Sequence, residues 1–209
     1  TAQIEPDNGV FLTKQLVYVV ALKQWTVEYF FDAGNETGSS LSPVQGMKVN
    51  YGCASADSVQ RINDTLLFLC SSQTSSNQVA MLYQGQVTIV STAAIDRLLA
   101  TADLSTVYSW QLAINGHSFY ILTIKNENLT LVYDLTQDLW CQWADKNGDY
   151  LPIVASSYDS TGRHIIQHES NGKIYFISSS YYKDDVDPIV VEIITPIFDA
   201  GSNNKKHLN

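Results

Sequence analysis

The stretch LTLVYDLTQDLWCQWADKNGDY, residues 129–150, holds an apolar run ending at Tyr133–Asp134, a polar turn, and a second run marked by Trp140 and Trp143. Each run is too short for a helix and rich in the aliphatic and aromatic residues that suit a pleated, half-buried surface. With Thr136 and Gln137 between them, the two runs read as an antiparallel hairpin. Just upstream, VYSWQLAI (107–114) and HSFYILTI (117–124) flank Asn115–Gly116. Asn-Gly is the strongest short-range hairpin signal, because both central residues of the tight turn need positive φ. The four runs together predict one four-stranded antiparallel sheet over residues 106–144, its strands ordered along the chain.

Working outward, the same grammar recurs. QLVYVVAL (15–22) and QWTVEYFFD (24–32) read as strands, the second with Trp25, Val27, Tyr29 and Phe31 on one face. AGNETGSSLSP then reads as a loop. TLLFLC (65–70), QVAMLY (78–83) and QVTIV (86–90) follow, the last two split by a Gln84–Gly85 turn. STAAIDRLLATAD places Ala94, Ile95, Leu98, Leu99 and Ala102 at helical spacing, with Ser91 or Thr92 as cap, so a short connecting helix is expected near 92–102. PIVASSYD, RHIIQHE, KIYFIS and IVVEIIT complete a last set of strands.

Tyr83, Tyr133 and Tyr175 mark the same place in successive units, 50 and 42 residues apart. Four short strands recurring at about 40 to 50 residues are the mark of propeller blades. The fold class expected is therefore all-β, a β-propeller of four-stranded blades. Residues 1–209 are read as a single propeller-like domain or fragment, with approximate blades at 9–50 (partial), 57–91, 106–144 and 150–195. About three blades and a partial one cannot close a ring of six or seven, so a fragment of a larger propeller is expected.

Composition narrows the function. The chain has 209 residues, 45% of them hydrophobic, and can bury a sizeable core. No apolar run approaches the roughly 20 residues that span a bilayer, and the start carries no leader pattern. A net charge of −9 argues against a tight grip on nucleic acid, which needs clustered Lys and Arg to displace counterions. Cys53, Cys70 and Cys141 are odd in number and widely spaced, which offers neither a disulfide framework nor a zinc spacing, and they read as free thiols. The sequons at Asn35, Asn63 and Asn128 are what chance supplies in a chain this rich in Asn, Ser and Thr.

No catalytic, cofactor-binding or metal-binding residue is assigned. His164 and His168 have a helical zinc spacing, but on a strand four residues span about 13 Å. DKNGD (145–149) lacks the Gly and Glu that finish a calcium loop, and SYDSTGRHI departs from the aspartate box of sialidase-type propellers. Glu28, Asp96, Asp134 and Asp159 are the carboxylates from which a glycosidase pair across a channel would have to be drawn.

Several stretches in order, KQWTVEYFFDAGN with GCASADSV, IVSTAAIDRLL, GHSFYILTI leading to TLVYDLTQDLW, and GKIYFISSSYYKDDVDPI, resemble the packaged-DNA stabilisation or tail hub proteins of short-tailed bacteriophages. They cover residues 23–189. LVYDLTQDLW by itself also resembles kelch-type blades. The phage resemblance implies a β-propeller that assembles as a homo-oligomeric ring below the portal and plugs the head after packaging. It implies no catalysis and no cofactor. Implied partners are other virion proteins, a portal or adaptor and a tail needle or tailspike, with neither membrane nor tight nucleic-acid binding. The expected location is the virion, assembled in the host cytoplasm. Members of that family are considerably longer, so the chain would hold the middle of one. Cys141 and Gln142 stand where a more basic pair is expected. The alternative is a kelch-like or glycan-active propeller, either a binding module or a glycosidase.

Overall fold

The computed structural model describes residues 6–72, 76–181, 183–184 and 187–188. It divides into two compact units, Thr1–Ser179 and Ser180–Asn209. The second shows one antiparallel pair, Lys183–Asp184 with Asp187–Pro188. The expected strand at 189–195 lies outside the described residues.

In the first unit the chain forms antiparallel sheets one after another. The first joins β1 (Gly9–Gln15), β2 (Tyr18–Lys23), β3 (Val27–Asp32) and β4 (Leu41–Pro43). The segment expected to hold a partial unit thus carries four strands, the fourth drawn from the Gly- and Ser-rich stretch read as a loop. β3 starts at Val27, later than the sequence predicts. Trp25 lies in the preceding turn, where Asp7 accepts the N–H groups of Trp25 and Thr26 at 2.8 and 3.0 Å.

The second sheet has an interrupted first strand. β5 (Gly52–Cys53) and β6 (Gln60–Ile62) both pair with β7 (Thr65–Ser71), with a short 3-10 turn at Ala56–Ser58 between them. β8 (Gln78–Tyr83) and β9 (Gln86–Ile89) follow. Gly52 sits where it does because a Cβ there would lie 2.0 Å from the Gln24 carbonyl oxygen. Helix α1 (Ala93–Leu99) then connects to the third sheet. Thr92 caps it through Ile95 N–H, Ser91 instead hydrogen-bonds the Asp96 carboxylate, and Ile95 and Leu99 are buried while Ala94 is exposed.

The third sheet is β10 (Val107–Ile114), β11 (His117–Ile124), β12 (Leu129–Asp134) and β13 (Leu139–Trp143), in chain order. Asn115 (φ 52°) and Gly116 (φ 84°) make its first turn, as the Asn-Gly signal requires. The fourth sheet shows β14 (Ile153–Tyr158), β15 (His164–His168) and β16 (Ile174–Ile177).

The sheets bury both faces of their central strands, which explains why TLLFLC reads as an unbroken apolar run. Leu66 and Phe68 pack with Val20, Leu22 and Tyr29 of the first sheet. Leu67 and Leu69, from the opposite face, pack with Tyr120, Leu122 and Leu131 of the third sheet and with Leu99 of the helix. Trp110, Ile121 and Val132 then pack with Ile153 and Ile166 of the fourth. The result is an all-β fold of four antiparallel sheets, three to five strands each, with one helix and no closed barrel among the described residues. Tyr83, Tyr133 and Tyr175 do fall on the third strand in chain order of successive sheets, counting β5 and β6 as one interrupted strand. Their settings differ: Tyr133 is buried and Tyr83 is exposed beside its turn.

Candidate functional site

The carboxylates singled out from sequence are each engaged locally. Glu28 is buried 2.6 Å from the equally buried Lys23 ammonium. Asp96 accepts from the Ser91 hydroxyl and the Gln78 amide. Asp134 takes His117 Nδ1 at 2.7 Å and the N–H groups of Thr136 and Gln137. Burial alone would raise the Asp134 pKa, but those hydrogen bonds outweigh it and hold the group below its ordinary value. Asp159 anchors the β14–β15 turn through Thr161 and Arg163, which drives its pKa down.

His164 and His168 lie on one strand, β15, as their sequence setting predicts, and have different surroundings. His168 Nδ1 accepts the N–H of Ser170 and Asn171 in the following turn. His164 is buried, its ring 6.2 Å from Trp110 and 4.6 Å from Tyr158, and neither of its ring nitrogens has a hydrogen-bond partner among the described residues. Burial pushes its pKa below the ordinary 6.5. Asp145 closes the DKNGD turn by accepting the N–H of Asn147 and Asp149. Among the described residues no group of three or more His, Cys, Asp or Glu is placed to hold a metal.

What the side chains do build is a series of polar ties across the seams between sheets. At the first seam Gln15, at the end of β1, donates to the carbonyls of Asp64 and Leu82 and accepts from the Tyr29 hydroxyl, which itself accepts the N–H of Gly85. At the second, Gln60 donates to the Ser109 carbonyl, Ser109 to the Asp57 carbonyl, Tyr120 to the Ser58 carbonyl, and Trp140 Nε1 to the Val90 carbonyl. At the third, Ser156 donates to the Gln111 carbonyl and the Tyr158 hydroxyl accepts the N–H of Ala113, while Lys125 pairs with Glu169. Most of these ties pair a side chain with main chain, so they fix the alignment of neighbouring sheets where apolar packing alone would let them slide.

Two surface features accompany the seams. A cleft of about 480 Å³ opens on the second seam, lined by Met81, Thr88, Val90, Tyr133, Asp138 and Trp140 among others. Its aromatic pair, Tyr133 and Trp140, lies with ring centroids 5.0 Å apart, and Tyr133 donates to Asp138. At the tip of the first hairpin, Leu16 has φ 54° and Val17 is 79% exposed, with Leu12 at 70% nearby on β1. A bulky residue in the left-handed region stores strain of about 1–3 kcal/mol. Sequence gave no signal for that tip, because Leu-Val is not a turn dipeptide. The seam glutamines and Tyr120 were likewise invisible as ties, since they donate to carbonyls 49 to 67 residues away along the chain.

No curated protein sequence is significantly similar to the chain. Among solved structures, the virginiamycin B lyase of Staphylococcus aureus (a selenomethionine-substituted crystal structure) is 14% identical. That match has a TM-score of 0.46 and covers 84% of this chain and 54% of the other, so the chain spans about half that structure's length. The profile of one family, described as bacteriophage P22 Gp10, beta-propeller, matches residues 1–181. With that match over most of its length, and four antiparallel sheets in series, the chain belongs to that family of phage structural β-propeller proteins.

Proposed function

We propose that the protein is a wall component of the phage head–tail connector, where it stabilises the packaged genome and docks tail components. Its four sheets serve as consecutive blades, near 9–50, 57–91, 106–144 and 150–195, of a propeller within a homo-oligomeric ring below the portal. The observation that carries the reading is the family match over residues 1–181. The seams support it: each is tied by hydrogen bonds to main chain, the construction of a rigid wedge that presents surfaces rather than one that opens around a substrate. The charge supports it as well. Twelve basic against 21 acidic residues suit a passive wall past which a polyanion must move without being held. On this reading the chain acts through other virion proteins (portal or adaptor on one side, tail needle or tailspike on the other) and is assembled in the host cytoplasm.

The test is reconstitution. The full-length protein is mixed with purified portal or adaptor rings and imaged by electron microscopy, and in parallel offered duplex DNA in a gel shift at physiological salt. A ring of this protein seated on the portal or adaptor, with no DNA shift, is the expected result. Failure to bind either ring, or a salt-sensitive shift at micromolar protein, would overturn the connector role or the passive wall respectively. Saturable binding of an oligosaccharide would favour the glycan-active alternative.

A further inference from the structure

Cys53 and Cys70 stand directly opposite one another on the antiparallel strands β5 and β7. The hydrogen bond from Ala54 N–H to the Leu69 carbonyl, at 2.9 Å, belongs to the neighbouring pair in the same register. Alternation along an antiparallel ladder therefore makes Cys53–Cys70 a non-hydrogen-bonded pair. In such pairs the Cα atoms approach to about 4.5 Å and the side chains lean together. That separation falls inside the range of roughly 4.4–6.8 Å that a disulfide tolerates without moving the backbone. Both side chains enter the same apolar cluster between the first and second sheets, and both are buried. Cys141 sits far along the chain on β13, opposite Val132, and is exposed.

We propose that Cys53 and Cys70 form a cross-strand disulfide when the chain meets an oxidant, so that the second sheet can be covalently locked across β5 and β7. In the structure both are free thiols. Cys53 Sγ donates to the Ser55 carbonyl at 3.1 Å, so bridging requires its side chain to leave that acceptor and turn toward β7. With a small disulfide such as oxidised glutathione as oxidant, the two protein S–H bonds break and one S–S bond forms. The glutathione S–S bond is cleaved, and its two sulfurs take the two hydrogens. Burial pushes the Cys53 thiol up to about 11 and the Cys70 thiol up to about 12, so little thiolate exists at neutral pH. The reduced form consequently persists until the core opens to the reagent.

The inference does not depend on where the chain works. It is tested by holding the reduced full chain in sub-denaturing urea at mildly alkaline pH with oxidised and reduced glutathione. The urea is then removed, thiols are titrated in denaturant, and a non-reducing peptide map is made. The expected outcome is a fall from three thiols to one. The peptides carrying Cys53 and Cys70 should be linked, and the product should unfold at higher urea than the reduced chain. A Cys141→Ser variant should fall from two thiols to none, and Cys70→Ser should keep both of its thiols. Three thiols remaining, a link through Cys141, or a bridged product that unfolds earlier than the reduced chain would each overturn the proposal.

Discussion

The Tyr29 hydroxyl donates to the side-chain oxygen of Gln15 at 2.8 Å, and both residues are almost wholly buried. The same Gln15 amide reaches two carbonyls across the first seam, Asp64 and Leu82, so one side chain satisfies three polar groups at once. Gln15→Leu should therefore cost about 2–4 kcal/mol, since it orphans buried acceptors as well as removing bonds. In urea this would lower the midpoint at an unchanged slope. A loss below about 0.5 kcal/mol would mean that the seam does not depend on this tie.

The two glycines Gly52 and Gly116 should respond to alanine for different reasons. At Gly52 the new Cβ would meet the main chain of Gln24 and Trp25, which cannot rotate away, so the first and second sheets must shift, at a cost of about 3 kcal/mol. At Gly116 nothing lies in the way, and only the positive φ is penalised, at about 1–2 kcal/mol. Denaturant melts of the two variants should rank Gly52→Ala as the more damaging. The reverse order would deny the close approach.

His164 gives the protein an acid-sensitive component. Its folded pKa lies below the ordinary 6.5, so the unfolded chain takes a proton before the folded one does. Stability from this group is thus complete above about pH 6.5 and declines as pH falls from there toward the folded pKa. The third seam, where the ring meets Trp110 and Tyr158, is where the loss would be felt. Thermal melts from pH 8 to pH 5 should show a falling midpoint that is shallower in His164→Leu. Equal slopes in the two proteins would remove His164 as the cause.

At the second seam, Tyr120→Phe should cost about 1–3 kcal/mol, because the buried Ser58 carbonyl loses the hydroxyl 2.7 Å away. Tyr158→Phe, whose hydroxyl takes an N–H at an exposed position, should cost under about 1 kcal/mol. Chemical denaturation of the pair separates the two cases, and similar costs would contradict the burial argument.

The third sheet was legible because two local signals agreed: Asn115–Gly116 set the first turn, and alternating apolar residues set the faces on either side. The fourth strand of the first sheet was not legible. Leu41–Pro43 is short and polar in setting, held by pairing with Phe30–Asp32, so long-range main-chain bonds decide it where side-chain pattern is silent. Trp25 misled for a related reason, since the carboxylate that bends its backbone into a turn is Asp7, 18 residues earlier. The His117–Asp134 pair needed the β11–β12 register, in which Phe119 faces Asp134 and His117 lies one diagonal step away. Nothing in spacing announces such a pair. The carboxylates considered for a channel could be placed only once each had shown its own neighbour.

The break between β5 and β6 has a consequence for how this protein can change. By leaving the ladder, residues 55–58 take their carbonyls out of strand pairing, and those of Ser55 and Ala56 accept the N–H groups of Ser58 and Val59 within the turn. The carbonyls of Asp57 and Ser58 become the acceptors for Ser109 and Tyr120 of the third sheet, and that of Ser55 holds the Cys53 thiol. A carbonyl oxygen is the same in every residue type, so no substitution at 55–58 deletes the acceptor itself. Variation at 55–57 is free to alter the side chains so long as the turn survives, whereas Ser58, whose buried hydroxyl accepts the Leu69 N–H, and the donors Ser109 and Tyr120 have no such latitude. Sequence drift across this seam should accordingly be lopsided, tolerant at 55–57 on the side of the second sheet and restricted on the side of the third.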